Sequence, residues 1–201
     1  MKALLVDFGG VLTTNVFQSF RAFCASEGLD PDALIEVFRT RPEAQEAVRA
    51  VETGAISEEE FSARLGGLLG LARTDGLVDR LLAGLGRDEA MVAAVRRARA
   101  AGVRTGLVSN SLGTGRYDRS VFPELFDGVV ISGEVGLRKP EPEIYLLAAE
   151  RVGVAPEACV FVDDLRVNCQ GAEAVGMTAV LHRGAERTIP RLEELLDVEL
   201  R

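Results

Sequence analysis

Three short apolar runs end in side chains that can do chemistry: Leu5-Val6-Asp7, Leu107-Val108-Ser109-Asn110 and Phe161-Val162-Asp163-Asp164. A carboxylate such as Asp7 can attack an electrophilic centre and form a covalent intermediate. Adjacent acids such as Asp163 and Asp164 repel each other, and a hard divalent cation with oxygen ligands relieves that repulsion. A serine next to a backbone N–H, as at Ser109-Asn110, can hold an anionic oxygen. Lys139 can neutralise phosphate as a point charge. It stands out because Lys2 and Lys139 are the only lysines among 23 basic residues. Each residue also has a plainer reading: a strand-end turn for Asp7, helix N-caps for Ser109 and the paired acids, an exposed loop for Lys139.

Whether these groups meet depends on the elements that carry them. Five runs (3–6, 103–108, 129–131, 159–162 and 178–181) are almost continuously apolar, the pattern of strands buried on both faces of a parallel sheet. Helical patterns at 88–101, 142–152 and 168–175 alternate with them, which predicts a doubly wound, Rossmann-like α/β core. In an open parallel sheet the carboxyl ends of the strands share one edge, and ligands bind in the crevice there. Asp7, Ser109, Asp163 and Asp164 are therefore expected to converge although they are distant in sequence. Residues 15–86 contain amphipathic helical stretches and no strand, which predicts a helical domain inserted into a core made of 1–14 and 87–201. Within it Asp30-Pro31 and Ser57, with Glu60 at the capping-box position, read as helix starts, and Gly54, Gly70 and Gly86 as stops.

The 201 residues suffice for one such core with an insertion, and 47% hydrophobic with 27% charged residues is a globular composition. A formal net charge of -8 disfavours nucleic acid and anionic membranes as partners but leaves a small phosphorylated substrate open. The apolar run at the N-terminus is too short for a signal peptide, and no run of about 18 apolar residues follows. Cys24, Cys159 and Cys169 lack metal or redox spacing. The expectation is a soluble cytoplasmic protein, and the sequence sets no oligomeric state.

Four segments follow in order over nearly the whole chain: Val6-Asp7-Phe8-Gly9-Gly10-Val11-Leu12, Val108-Ser109-Asn110, Arg138-Lys139-Pro140 and Phe161-Val162-Asp163-Asp164. Together they resemble the motifs of the haloacid dehalogenase-like hydrolase superfamily, in its phosphatase-type branch with a helical cap between the first two motifs. The resemblance implies Asp7 as nucleophile, an aspartyl-phosphate that water hydrolyses, and Ser109 with the N–H of Asn110, at the start of the next helix, as phosphoryl-oxygen donors. It implies that Lys139 holds Asp7 and the phosphate. It also implies a Mg²⁺ ion on Asp7, the Gly9 carbonyl, Asp163 and Asp164, with Asn168 orienting the metal-binding loop. The implied substrate is a small phosphate monoester, with sugar phosphates as the family's suggestion.

One position departs from the pattern. Phosphatases of the superfamily usually carry a second aspartate two residues after the nucleophile, as general acid and base, and here that residue is Gly9. Positioned acid–base catalysis contributes typically ~10²–10⁴-fold. Four readings compete. One is a phosphatase in which water, a cap residue or a good leaving group replaces the acid. Another is a metal- and phosphate-binding protein with little or no catalysis. The third is a 2-haloacid dehalogenase, whose halide leaves without a proton but which needs no Mg²⁺ and lacks the paired acids. The last is a phosphotransferase. Arg39 and Arg41 are candidates to meet a second anionic group, Phe17, Phe20 and Phe23 read as packing, and His182 as remote from the nucleophile. Thr13 and Thr14 either cap the exit into the insertion or touch substrate.

Overall fold

Along β1 (Ala3–Val6) the four side chains leave alternate faces of the backbone and all are fully buried. A strand with no exposed face belongs inside a sheet. β1 pairs in parallel with β2 (Arg104–Ser109) on one side and β4 (Cys159–Asp163) on the other. With β3 (Gly128–Ile131) and β5 (Thr178–Leu181) the order is β3-β2-β1-β4-β5. The computed structural model describes residues 1–201 and contains all five expected strands. Val6 lies level with Leu107 and Val162. Asp7, whose N–H donates to the Val162 carbonyl at 2.9 Å, therefore emerges beside Asp163 at the carboxyl edge.

Between β1 and β2 the chain forms α1 (Val16–Ser26), α2 (Ala33–Thr40), α3 (Pro42–Glu52), α4 (Glu58–Leu69) and α5 (Leu77–Leu82), and α6 (Glu89–Ala100) then returns to the sheet. The Asn15 side chain accepts from the Phe17 and Gln18 N–H groups and starts α1. Ser57 accepts from the Glu60 N–H at 3.2 Å and starts α4, which ends at Gly70 with φ 68°. The Asp30-Pro31 signal does not start a helix directly. The Asp30 carboxylate accepts from the Asp32 N–H at 2.9 Å, closing a turn, and α2 begins only at Ala33. The apolar faces of these helices bury Phe20, Phe23, Leu34, Phe61, Leu65 and Leu81 together, a core separate from those of the sheet. Each such side chain contributes about 1.5–3 kcal/mol on burial.

Two connectors join this insertion to the sheet, and they run side by side. A single antiparallel bridge links Thr13 and Arg87. The Asp88 N–H donates to the Leu12 carbonyl at 2.9 Å, and the Gly86 N–H donates to Thr14 Oγ1 at 3.0 Å. Thr13 Oγ1 in turn accepts from the Gly10 N–H at 3.0 Å, so both threonines brace the connectors.

After β2 no helix starts at Asn110. The chain is irregular up to a 3-10 turn at Arg119–Val121, because Ser111 bonds sideways, its N–H donating to Ser132 Oγ at 2.9 Å. The helix expected to supply the Asn110 N–H is therefore absent. Short helices α7 (Phe122–Leu125) and α8 (Ser132–Val135) flank β3, followed by α9 (Pro142–Val152), α10 (Arg166–Ala174) and α11 (Ala185–Leu196). Leu4 and Val6 face Met91 of α6 and Leu192 of α11, whereas Ala3 and Leu5 face Tyr145 of α9 and Ala172 of α10. All three cysteines are free and buried. No helix is long and apolar enough to cross a membrane.

Candidate active site

The carboxyl edge gathers the acids as the sheet register requires. Oxygen atoms of Asp7, Asp163 and Asp164 all lie within 4.8 Å of one another. Lys139, only 1% exposed, reaches between two of them, with Nζ 2.7 Å from Asp7 Oδ1 and 2.7 Å from Asp163 Oδ2. Burial acts to lower the Lys139 ammonium, but the charges of Asp163 and Asp7 outweigh it and hold the group above the ordinary lysine range. Three acids gather around one lysine, which touches two of them, and both Asp7 and Asp164 rise above the ordinary carboxylate range. Burial pushes the Asp7 carboxyl upward against the pull of Lys139, and the charges of Asp163 and Asp164 add to the rise. Burial and then the charge of Asp163 push Asp164 up to about 6.

Each of these groups is held from behind. Asp7 Oδ1 accepts from the Phe8 N–H at 2.7 Å. Asp163 Oδ1 accepts from the Leu165 N–H at 2.8 Å, and Asn168 Nδ2 donates to both Asp163 oxygens at 3.0 and 3.1 Å. Asn168 thus orients the acidic loop. The Asp164 carboxylate sits over Gly10, whose φ is +75° and whose missing Cβ leaves the room: a methyl group there would overlap the carboxylate. Ser109 Oγ lies 2.9 Å from the Tyr117 hydroxyl, and burial pushes that phenol up to about 12.

The Asn110 side chain does work not foreseen for it. Its Oδ1 accepts from the Lys139 N–H at 2.9 Å and its Nδ2 donates to the Lys139 carbonyl at 3.1 Å, fixing the backbone that aims the lysine. The same Nδ2 donates at 3.2 Å to Glu52, the last residue of α3. Glu52 also pairs with Arg138, Oε2 to Nη2 at 2.6 Å. Tyr117 and Glu52, the partner of Arg138, escaped the reading of the sequence. Their roles depend on how the insertion and the irregular stretch after β2 dock, for which neither periodicity nor spacing carries a signal.

A cavity of about 470 Å³ lies over the acids, lined from below by Asp7, Gly9, Ser109, Asn110, Lys139 and Asp164 and from above by α1, α2, α3 and the end of α5. Phe23 is packed in the insertion's core as expected, but Phe17 and Phe20, taken only as packing, also face this cavity. Arg39 and Arg41 do not. They are exposed and pair locally with Glu36 and Glu43, and the arginines at the cavity are Arg49, Arg116 and Arg138. His182 is buried away from the cavity, its Nδ1 2.9 Å from Thr188 Oγ1, and burial lowers its pKa.

A family model described as haloacid dehalogenase-like hydrolase matches residues 1–176. Acyl-CoA dehydrogenase family member 10 of Mus musculus is 26% identical over 99% of this chain and 19% of its own length. Glyceraldehyde 3-phosphate phosphatase of Methanopyrus kandleri is 35% identical over 48% of this chain and 49% of its own. The chain thus spans only a fifth and a half of these two relatives. Phosphatase MT3486 of Mycobacterium tuberculosis is 32% identical over 73% of each chain. Among solved structures, a predicted HAD-like family hydrolase from Porphyromonas gingivalis superimposes with a TM-score of 0.72, at 28% identity over 98% of both chains. A HAD family enzyme of Bacteroides thetaiotaomicron, in complex with magnesium and inorganic phosphate, superimposes at 0.66, with 22% identity over 91% of this chain and 94% of that one.

Proposed function

Because the chain belongs to the haloacid dehalogenase-like hydrolases, we propose that it is a Mg²⁺-dependent phosphatase acting on small phosphate monoesters through an aspartyl-phosphate on Asp7. One observation carries this reading: Asp7, Lys139 and the paired acids meet beneath a single cavity. The relatives named as phosphatases, and the magnesium and phosphate bound by a neighbour of the same fold, support it.

The residues present fit the ion. The side-chain donors are all carboxylate oxygens within 4.8 Å of one another, and the Asp164 carboxylate occupies a notch that only glycine at position 10 leaves open. Asp7, Asp163, Asp164 and the Gly9 carbonyl would hold Mg²⁺, which supplies positive charge against the repulsion between these acids and a phosphate dianion. The rest of the work falls to the chain. Lys139 and the Phe8 N–H occupy Asp7 Oδ1, which leaves Oδ2 for attack on phosphorus. The Ser109 hydroxyl and the Asn110 N–H donate to phosphoryl oxygens, while Lys139 offsets their charge. The helical insertion acts as a cap that excludes water from the reacting centre.

The direct test is phosphate release from para-nitrophenyl phosphate with Mg²⁺ and with EDTA, beside halide release from 2-haloacids. Turnover that Mg²⁺ supports and EDTA abolishes, without halide release, is the expected result. Halide release without Mg²⁺ would make the chain a dehalogenase. A second reading, a metal- and phosphate-binding protein with little catalysis, draws on Val16. Its Cγ2 stands 3.1 Å from where a Cβ on Gly9 would lie, so hydrocarbon borders the place of the usual second acid. That reading requires Mg²⁺-dependent phosphate binding without turnover.

Two predictions concern the ion. Gly10→Ala is expected to push Asp164 aside and weaken Mg²⁺ binding at least ~10-fold in titration calorimetry, with the fold unchanged in circular dichroism. An unaltered affinity would show that Asp164 takes no part. The second concerns pH. Asp7 and Asp164 hold protons above the ordinary carboxylate range, and Mg²⁺ has to displace them. Mg²⁺ affinity should therefore climb as pH rises through about 6. Stability without metal runs the other way. The neutral acids contribute fully below the ordinary carboxylate pKa, and that contribution is lost as pH rises through their elevated values. The increase in Tm on adding Mg²⁺ should accordingly be larger at alkaline than at acid pH, which thermal melts at fixed Mg²⁺ will read.

A further inference from the structure

Apart from the acids that would hold the ion, no side chain at the site is free to give a proton to a departing oxygen. Gly9 has no side chain, and Val16 closes on the space beside it. Glu52 is engaged by Arg138 and Asn110, Tyr117 by Ser109, and Lys139 by Asp7 and Asp163. The wall of the cavity on the side of the insertion meanwhile is largely apolar. Phe17, Phe20, Phe38, Val48, Leu82 and Leu112 line it. Most of its polar side chains bond to the protein: Gln45 donates to the carbonyls of Phe38 and Arg39, and Arg116 is held by Glu58 and Asp79; Arg49 alone among its arginines has no acidic partner. Of the four large apolar side chains the molecule exposes, two, Leu165 at 37% and Val167 at 51%, also line this cavity.

We infer that the substrate is a phosphate ester or mixed anhydride whose leaving oxygen belongs to an acidic hydroxyl (a phenol, an enol or a carboxylic acid) borne on an apolar body. The inference rests on the phosphatase reading above and narrows its substrate class away from sugar phosphates. In the first step the bond from Asp7 Oδ2 to phosphorus forms, the bond from phosphorus to the leaving oxygen breaks, and the electron pair departs on a phenolate, enolate or carboxylate that needs no proton. Water then attacks the aspartyl-phosphate. The Asp7–phosphorus bond breaks, the carboxylate is restored, and the water's proton stays with the phosphate as dihydrogen phosphate. Apolar walls that give few hydrogen bonds to hydroxyl groups take up the body of the leaving group.

The test compares kcat/KM for para-nitrophenyl, phenyl and benzyl phosphate, which share a ring and differ in the acidity of the leaving oxygen, and for glucose 6-phosphate. The expected result is a fall of at least ~10²-fold from para-nitrophenyl to benzyl phosphate, the lower end of what a positioned acid contributes, with glucose 6-phosphate below both. Gly9→Asp combined with Val16→Ala, which opens room for the new side chain, should shrink that fall at least ~10-fold. Val167→Ser should raise KM for phenyl phosphate several-fold. Benzyl phosphate turned over within about threefold of phenyl phosphate by the parent protein, or glucose 6-phosphate preferred to both, overturns the inference and leaves the phosphatase reading standing. An unchanged KM in Val167→Ser overturns the assignment of the apolar body. Absence of Mg²⁺-dependent turnover on every compound overturns the phosphatase reading and this inference with it.

Discussion

Asp7→Asn is expected to lower kcat by more than about 10⁴-fold on any phosphate the protein turns over, because an amide of the same shape has no carboxylate to attack phosphorus. The fold should survive, and without metal the variant should melt no lower than the parent. Burial, with Asp163 and Asp164 nearby, already disfavours the Asp7 charge despite Lys139, so removing that charge relieves the folded state. Single-turnover kinetics and thermal melts in EDTA measure the two effects separately. Activity within tenfold of the parent would show that another group attacks, whereas a large loss of stability would show that the Lys139 pair matters more to folding than the acidic repulsion does.

Lys139→Met is expected to act on stability as strongly as on rate. It leaves Asp7 and Asp163 facing each other in a buried site without their shared cation. Breaking a buried pair by removing one partner is destabilising by roughly 3–5 kcal/mol. For a chain of this length that is a fall in Tm of about 6–20 °C. Adding Asp7→Asn to Lys139→Met should recover part of the loss, since one of the stranded charges disappears. A Lys139→Met protein that melts with the parent in EDTA would show that the acids are neutral in the folded state and that the lysine does not hold them. Turnover should fall in step, because Asp7 Oδ1 loses the contact that aims it.

The sheet was readable because its central strands β1, β2 and β4 are buried on both faces over nearly their whole length, and an almost uninterrupted apolar run leaves few other interpretations. The meeting of Asp7 with Asp163 followed from topology alone: neighbouring parallel strands in register bring their ends together whatever lies between them in sequence. The run of helices between the first two strands was equally visible. Contacts made by segments without regular structure were not visible. Asn110 was read as opening a helix, but Ser111 binds Ser132 and the chain turns away irregularly, so the Asn110 side chain clamps the backbone of Lys139 instead. Arg39 and Arg41, near the end of a helix in the insertion, were only candidates to meet a second anionic group, against the commoner case of solvent exposure. Both are exposed and pair with Glu36 and Glu43, and Arg49 on α3 stands at the cavity in their place. Side-chain periodicity reports which face of a helix is apolar, and it is silent about what that face is set against.

The paired connectors at Thr13 and Arg87 have a mechanical consequence. Two crossings that lie next to each other define a single axle, so any swing of the helical unit would turn about that line, with the strands bearing Asp7 and Asp163 still, and would first have to part Glu52 from Arg138 and Arg116 from Glu58. For the same reason the ends left by excising that unit would be neighbours. A different helical module could be grafted across them without stretching the sheet, and selectivity could be redesigned apart from the chemistry beneath.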